Sequence, residues 1–229
     1  MKVHQIYVPF RENRSLYDNE TFIKSRMLWK DLCQRNGYEY HLWGEELYNI
    51  LLTEYPQYED FVENLDPIKK HDFFRVLCLH HFGGVYIDLD ILPLKDDLEW
   101  IKFPTLRRCM INKQTKKGVY ICNDFMAFKE GDPIIGEDYF NSVINSYYEK
   151  HDRYKQLGWN ARFVLQTTGP HHLTRYMKKY KKDEDYNLFE TNTWKNGKLL
   201  ENVNNSPITC YHTISWMKNK KEDAICYFN

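Results

Sequence analysis

The chain has 229 residues, with 32 Lys and Arg and 32 Asp and Glu, so its formal net charge at pH 7 is zero. This balance excludes the bulk attraction to nucleic acid or to an anionic membrane that a strongly basic chain would show. Hydrophobic residues make up 42% and charged residues 28%, a composition typical of a globular protein. No window approaches the roughly 18 apolar residues of a transmembrane segment.

The six cysteines are spread along the chain without a CxxC pair or a tight cluster. This spacing argues against a structural zinc site and favours reduced, buried thiols. The first residues also lack the apolar run of a signal peptide. We therefore expect a cytoplasmic protein. The six are Cys33, Cys78, Cys109, Cys122, Cys210 and Cys226.

The first third of the sequence alternates strand and helix signals. We predict strands over residues 3–8 and 38–43, a helix from a cap at 18–20 to Gly37, and a helix over 45–52. Strands that alternate with helices are typical of an α/β domain with a parallel sheet.

A helix with clear ends leads into the most β-prone stretch of the chain. Asp66 and Pro67 are a capping carboxylate and a proline at the first helical position. Gly83 and Gly84 end this helix because glycine adopts a left-handed conformation without steric cost. Residues 85–92 follow as a predicted buried strand, since they are almost continuously apolar.

The later elements give weaker signals. The chain shows no internal repeat and no low-complexity linker, so we predict one domain over residues 1–229. The expected elements are a strand over 120–128, helices over 134–148 and 171–180, and a last strand over 208–212.

Two carboxylates, Asp88 and Asp90, interrupt the predicted strand. Because side chains alternate along a strand, both are expected on one face, where they repel each other and burial raises their pKa values. A hard divalent cation, Mg²⁺ or Mn²⁺, would relieve this repulsion, and ligands of open α/β sheets bind beyond the carboxyl ends of strands. The alternative is a pair of solvent-facing carboxylates, because a D-x-D spacing is common by chance.

Asp72 and Arg75 stand three positions apart on the preceding helix and therefore share one of its faces. A local salt bridge explains this spacing equally well. Their neighbours are apolar, however, and a polar pair inside a buried helix needs partners.

These motifs combine into a longer pattern. Residues 72–75 (DFFR), 83–90 (GGVYIDLD) and 93–94 (PL) resemble the D-x-x-R…G-G-x-Y-x-D-x-D-x-x-P-L signature of family-32 type glycosyltransferases. This family has a sugar-binding region with a DXD motif and includes yeast initiating mannosyltransferases and capsular polysaccharide enzymes. Further segments resemble it in the expected order: 4–7 (HQIY, with Tyr7 in place of Trp), 37–43 (GYEYHLW), 123–128 (NDFMAF), 131–133 (GDP), 168–170 (TGP) and 212–216 (HTISW).

The resemblance implies a GT-A fold, in which helices flank a Rossmann-like mixed, mostly parallel sheet. It implies the transfer of a hexose from a nucleotide diphosphate sugar to a hydroxyl of a glycan or another acceptor, with retention of configuration. UDP-sugar is favoured over GDP-sugar, and the implied cofactor is Mn²⁺, or Mg²⁺ in its place.

The resemblance also assigns roles to matching residues. Asp90 would bind the metal directly, and Asp88 would lie near the ribose and the metal-bound waters. His212 would contact the metal or the diphosphate. Asp72 and Arg75 would hold hydroxyls of the donor sugar, and together with Asp88 and Asp90 they form the expected catalytic set.

Five more residues are expected to bind the substrates. Tyr7 would lie against the nucleobase, and Ser215 and Trp216 would close over the diphosphate. Asn123 and Asp124 would face the sugar or the acceptor.

Two other functions fit part of the pattern. Phosphohydrolases of the haloacid dehalogenase type also use a strand ending in D-x-D, but that strand usually lies near the N-terminus, and Leu92 stands where Thr or Val is common. A sugar-nucleotide or glycan binding module without turnover is the non-enzymatic alternative. The presence of the whole acidic and basic set argues against it.

Overall fold

The computed structural model describes residues 1–9, 15–112, 117–155, 161–180, 185–195 and 198–211. Its helices are α1 Glu20–Asn36, α2 Glu46–Glu54, α3 Glu59–Glu63, α4 Pro67–Phe82, α5 Glu137–Lys155, α6 Ala161–Thr167 and α7 Pro170–Tyr180. Its strands are β1 Lys2–Ile6, β2 Glu39–Trp43, β3 Gly84–Ile87, β4 Ile91–Pro93, β5 Thr105–Asn112, β6 Lys117–Phe128, β7 Asn187–Phe189, β8 Asn192–Lys195, β9 Lys198–Glu201 and β10 Ile208–Tyr211.

The strands form two sheets. The larger sheet has the order β2-β1-β3-β6-β5-β7 and the smaller one the order β4-β10-β8-β9. In the larger sheet β1 runs parallel to β2 and β3, and β5 runs parallel to β7, whereas β6 is antiparallel to β3 and β5. This mixed, mostly parallel sheet with flanking helices confirms the expected α/β class and agrees with the GT-A type.

Strand β3 shows how helices cover both faces of the larger sheet. Val85 and Ile87 pack in one hydrophobic cluster with Trp29 of α1, whereas Tyr86 packs in the other cluster with Phe74 of α4. The alternation follows from the two-residue period of a strand. Tyr86 therefore points toward α4, the helix that carries Asp72 and Arg75.

The predicted ends of α4 are confirmed. The Asp66 carboxylate accepts a hydrogen bond from the Lys69 N–H at 3.2 Å and caps the first turn. At the other end, Gly83 has φ 62° and Gly84 has φ 100°, so the helix turns directly into β3. His4 of β1 holds this junction, because its Nε2 lies 2.9 Å from the Gly83 carbonyl oxygen.

The predicted strand over residues 85–92 is wrong in its second half. Strand β3 ends at Ile87, the chain turns with a hydrogen bond from the Ile91 N–H to the Asp88 carbonyl at 3.1 Å, and β4 joins the smaller sheet. Asp88 and Asp90 therefore lie on a turn between two sheets and not on one face of a strand. We call residues 88–90 the D-x-D turn.

Other boundaries differ less. The helix predicted over residues 134–148 begins later, at Glu137, after a short 3-10 helix Pro133–Ile135, and it continues to Lys155. Four cysteines, Cys33, Cys78, Cys122 and Cys210, are free and buried, as expected. Within the described ranges, no helix is both long and apolar enough to cross a membrane.

Candidate functional site

Main-chain hydrogen bonds fix the D-x-D turn to two other strands. The Asp88 N–H donates to the Asp124 carbonyl of β6 at 2.8 Å, and the Asp90 carbonyl accepts from the Tyr211 N–H of β10 at 2.7 Å. The first aspartate is thus held by the larger sheet and the second by the smaller one.

A line of side chains holds the residue that follows the turn. The Ile91 carbonyl accepts hydrogen bonds from Ser25 Oγ at 2.7 Å and from Trp29 Nε1 at 2.8 Å. Ser25 Oγ in turn accepts from Gln5 Nε2 at 3.0 Å, and Gln5 Oε1 accepts from the Tyr40 hydroxyl at 2.7 Å. Helix α1 and strands β1 and β2 therefore support the exit of the turn.

Two side chains contact one oxygen of the Asp88 carboxylate, and the rest of the group is partly exposed to solvent. Its Oδ1 accepts from the Tyr86 hydroxyl at 2.5 Å and lies 3.2 Å from Arg75 Nη1, while 28% of the side chain stays exposed. Partial burial raises the pKa of Asp88 to about 7; Arg75 opposes this rise, and the charges of Asp90 and Asp124 add to it. The group therefore sits in a field of excess negative charge.

Arg75 joins three elements from a buried position on α4. Its Nη1 donates to the Asn123 carbonyl at 2.9 Å, and its Nη2 lies 3.2 Å from Asp72 Oδ1. The guanidinium carbon also lies 5.0 Å from the centre of the Tyr86 ring. Burial lowers the pKa of Arg75, but the surrounding acidic groups, Asp88 first, outweigh it and raise the pKa above its usual value.

Asp72 is enclosed, with only 5% of its surface exposed. Its Oδ1 accepts from Asn123 Nδ2 at 2.9 Å and its Oδ2 from Thr168 Oγ1 at 3.1 Å. Burial raises the pKa of Asp72, although Arg75 and these two hydrogen bonds lower it in part. A Cβ at Gly169 would lie 3.3 Å from Oδ2, so the T-G-P segment fits closely around this carboxylate.

Arg107 and Asp124 form a second buried ion pair beside the turn, which no sequence motif indicated. Arg107 of β5 donates through Nε to Asp124 Oδ1 at 2.7 Å and through Nη2 to Oδ2. Cys210 Sγ lies 3.8 Å from the same Oδ2. The neighbouring Arg108 instead pairs with Glu190 at the surface. An arginine in an apolar stretch was the available signal, and it did not separate Arg107 from Arg108.

The structure therefore brings together six predicted site residues, whose roles stay predictions: Asp72, Arg75, Asp88, Asp90, Asn123 and Asp124. Tyr7 directly follows β1, and its N–H donates to the Trp43 carbonyl at 2.8 Å. Three predicted residues lie outside the described ranges: His212, Ser215 and Trp216. Within those ranges, no three His, Cys, Asp or Glu side chains are gathered to hold a metal ion.

The charges of this cluster do not balance. It contains four carboxylates and two guanidinium groups, so full ionisation leaves two negative charges in excess. Such a site favours a divalent cation or a ligand that brings one. The four carboxylates are those of Asp72, Asp88, Asp90 and Asp124, and the guanidinium groups are those of Arg75 and Arg107.

Residues 20–106 match the family described as glycosyltransferase sugar-binding region containing DXD motif. Mannosyl phosphorylinositol ceramide synthase SUR1 of Saccharomyces cerevisiae is 32% identical over 161 residues, covering 67% of this chain and 38% of that protein. The initiation-specific alpha-1,6-mannosyltransferase of Schizosaccharomyces pombe is 30% identical over 118 residues, covering 45% and 29%. Among solved structures, PaToxG glycosyltransferase has a TM-score of 0.47 at 16% identity, covering 78% of this chain and 68% of that one.

The region matched by the family model contains Asp72, Arg75 and the D-x-D turn. The chain spans about two fifths of the length of the two yeast mannosyl phosphorylinositol ceramide synthases that it matches. The motif order, the α/β architecture and the sequence similarities to the family and to the yeast enzymes agree with one another. The chain belongs to the family-32 type glycosyltransferases, whose sugar-binding region contains a DXD motif.

Proposed function

We propose that this protein is a metal-dependent glycosyltransferase that moves a hexose from a nucleotide diphosphate sugar to an acceptor hydroxyl, with retention of configuration. A UDP-sugar is the favoured donor, and a glycan or another hydroxyl compound is the acceptor. The observation that carries the proposal is the D-x-D turn, which main-chain hydrogen bonds fix beside a surplus of negative charge.

The residues of the turn fit a divalent cation. Mg²⁺-like ions are usually held by one or two carboxylates together with substrate phosphates, and they keep several waters. Asp88 and Asp90 would supply these carboxylates, and the two excess negative charges match the charge of the ion. When bound, Mn²⁺ or Mg²⁺ stabilises the negative charge that develops on a diphosphate leaving group.

The residues around Asp88 fix the orientation in which its carboxylate would bind the cation. Arg75 and the Tyr86 hydroxyl both contact Oδ1, which fixes the orientation of the carboxylate. Asp72 pairs with Arg75 from the other side, so the guanidinium is held between two carboxylates. We propose that Arg75 and Asp72 line the sugar pocket, and that Asp72 acts mainly by positioning Arg75 because its oxygens already accept hydrogen bonds.

The relatives suggest which sugar to test first. Their names describe mannosyl transfer, in one case to phosphorylinositol ceramide. We therefore place GDP-mannose in the donor panel beside UDP-glucose, UDP-galactose and their N-acetyl forms. Binding of the correct donor to the native state raises the melting temperature by mass action, so a thermal-shift screen with Mn²⁺ identifies it.

The decisive variant is Asp90→Asn. We expect it to abolish Mn²⁺-dependent hydrolysis of the donor found in the screen while the melting temperature of the free protein stays unchanged. Asp96→Asn is the matched control, because that carboxylate is almost fully exposed. Full hydrolysis by Asp90→Asn would refute the metal role. Turnover of a generic phosphatase substrate would favour a phosphohydrolase, and donor binding without hydrolysis or transfer would favour a binding module.

A further inference from the structure

Arg107 is a fully buried arginine in the middle of a sheet, with 0% of its surface exposed. Two of its nitrogens bind the two carboxylate oxygens of Asp124. Its third nitrogen, Nη1, has no hydrogen-bond partner among the described residues. Burying such a pair costs desolvation energy, and well-packed apolar residues often stabilise a protein as well or better. Stability alone therefore does not explain why an ion pair occupies this position.

The pair lies at an irregularity between β5 and β6. Leu106 pairs with Met126 and Arg108 pairs with Ile121, so the single residue Arg107 faces four residues of β6. We call these four, residues 122–125, the β6 bulge. The two hydrogen bonds from Arg107 to Asp124 tie the bulge back to β5 where the regular strand pairing is lost.

The β6 bulge makes the contacts that assemble the candidate site. The Asp124 carbonyl accepts the N–H of Asp88, the first residue of the D-x-D turn, at 2.8 Å. The adjacent Asn123 accepts from Arg75 through its carbonyl and donates to Asp72 through its side chain. The position of the bulge therefore affects both the D-x-D turn and the pair formed by Asp72 and Arg75.

We propose that Arg107 is a positioning residue for the D-x-D turn. It acts through Asp124, because it fixes the bulge whose carbonyl holds Asp88 in place. The proposal rests on the proposed function, in which Asp88 and Asp90 hold a divalent cation. Residues that orient metal ligands from outside typically contribute 10- to 100-fold to metal affinity or activity, and we expect an effect of this size.

The test has two readouts: the exchange of the Asp88 amide, measured without metal, and the affinity of the donor-free protein for Mn²⁺. In Arg107→Met the Asp88 amide is expected to exchange with solvent at least about tenfold faster, because its acceptor is no longer held in place. Mn²⁺ affinity, measured by electron paramagnetic resonance on the free protein, should fall about 10- to 100-fold. In Arg107→Lys, both the exchange rate and the Mn²⁺ affinity should lie between those of the wild type and those of Arg107→Met. One ammonium does not reproduce the two parallel hydrogen bonds of a guanidinium.

Arg108→Met is the matched control, because it removes a neighbouring arginine from the same strand together with its ion pair to Glu190. We expect wild-type exchange and Mn²⁺ affinity in this control. If Arg107→Met is too unstable, the double variant Arg107→Met with Asp124→Asn avoids leaving an uncompensated buried carboxylate, and it should still show the faster Asp88 exchange.

Two results would overturn the inference: unchanged Asp88 exchange and Mn²⁺ affinity in Arg107→Met or in the double variant, or the same losses in Arg108→Met. The proposed function fails separately, if the wild-type protein binds no Mn²⁺ and hydrolyses no donor. In that case the exchange of the Asp88 amide still reports whether Arg107 holds the turn.

Discussion

At the scale of single residues, the enclosed carboxylate of Asp72 gives a sharp prediction. Asp72→Asn leaves Arg75 with Asp88 as its remaining carboxylate and places an amide where Asn123 and Thr168 donate. Removing one partner of a buried pair costs about 3 kcal/mol or more. We therefore expect the free energy of unfolding in urea at neutral pH to fall by about 3 kcal/mol.

The control for Asp72→Asn is another aspartate that pairs with an arginine on its own helix. Asp31 lies 2.9 Å from Arg35 on α1, but both side chains are at least half exposed. Asp31→Asn should change the free energy of unfolding by less than about 0.5 kcal/mol, because water screens such pairs. Equal losses in the two variants would mean that the contacts of Asp72 do not stabilise the fold.

The two buried arginines of the site, Arg75 and Arg107, show which side-chain contacts can be predicted from the sequence. The pairing of Asp72 with Arg75 was predictable, because residues three apart on a helix are neighbours. Asp124 and Arg107 are 17 positions apart and meet only because β6 bulges. An irregularity in strand pairing leaves no periodic trace in the sequence, so this contact was not predictable from spacing.

At the scale of elements, the junction between α4 and β3 depends on two glycines. Gly84 has φ 100°, and a Cβ there would collide with the Lys2 carbonyl of β1. Gly84→Ala therefore combines a strained backbone with displacement of a paired strand, each worth about 1–3 kcal/mol. We expect a loss of about 3 kcal/mol or more in the free energy of unfolding, with weaker donor binding.

Gly131→Ala separates backbone strain from steric displacement. Gly131 also has a positive φ, 65°, but a Cβ there meets nothing within 4 Å. The cost should be about 1 kcal/mol, which is the penalty of the left-handed conformation alone. If Gly84→Ala is no more destabilising than Gly131→Ala, the close approach of β1 does not constrain the junction.

The elements that sequence predicted best are those with local end signals. The start of α4 at Asp66 and Pro67 and its end at Gly83 follow from capping chemistry. The end of β3 at Ile87 has no such signal, because β4 is also buried and the apolar run continues across the D-x-D turn. The hydrophobicity of a residue indicates that it is buried, but it does not indicate in which of the two sheets.

At the scale of the whole molecule, the α/β class was predictable because strands and helices alternate from the N-terminus. The smaller sheet was not: the strand predicted over residues 208–212 corresponds to β10, but β8 and β9, which have only four residues each, were not predicted. The pairing of β10 with β4 joins the last described segment to the D-x-D turn. The candidate site is thus completed by contacts between distant parts of the chain, which local patterns do not reveal.

The packing of the whole molecule also sets its response to acid, because it buries neutral histidines. Burial lowers the pKa of His4 to about 4, and the charges of His41 and Lys2 lower it further against the Gly83 hydrogen bond. Burial lowers the pKa of His172 to about 3, with Arg175 and Lys150 acting in the same direction. Both rings ionise more readily in the unfolded chain, whose histidine pKa is about 6.5.

The sign of the effect follows from proton linkage. Between about pH 6.5 and the lowered native pKa values, the unfolded state binds up to one more proton than the native state at each ring. The free energy of unfolding therefore falls as the pH falls, by up to about 1.4 kcal/mol per pH unit for each histidine. The raised pKa values of Asp72 and Asp88 act in the opposite direction. Comparison between variants therefore isolates the histidine contribution better than the wild-type curve does.

His4→Gln removes the titrating ring and keeps an N–H donor for the Gly83 carbonyl. We measure the free energy of unfolding in urea at about pH 6 and at about pH 5. The decrease between the two pH values should be smaller in His4→Gln than in the wild type, by about 1 kcal/mol. His172→Gln should behave in the same way. His151→Gln, at a more exposed ring on α5, should keep the wild-type difference. If His4→Gln keeps it too, proton uptake at His4 does not destabilise the native state.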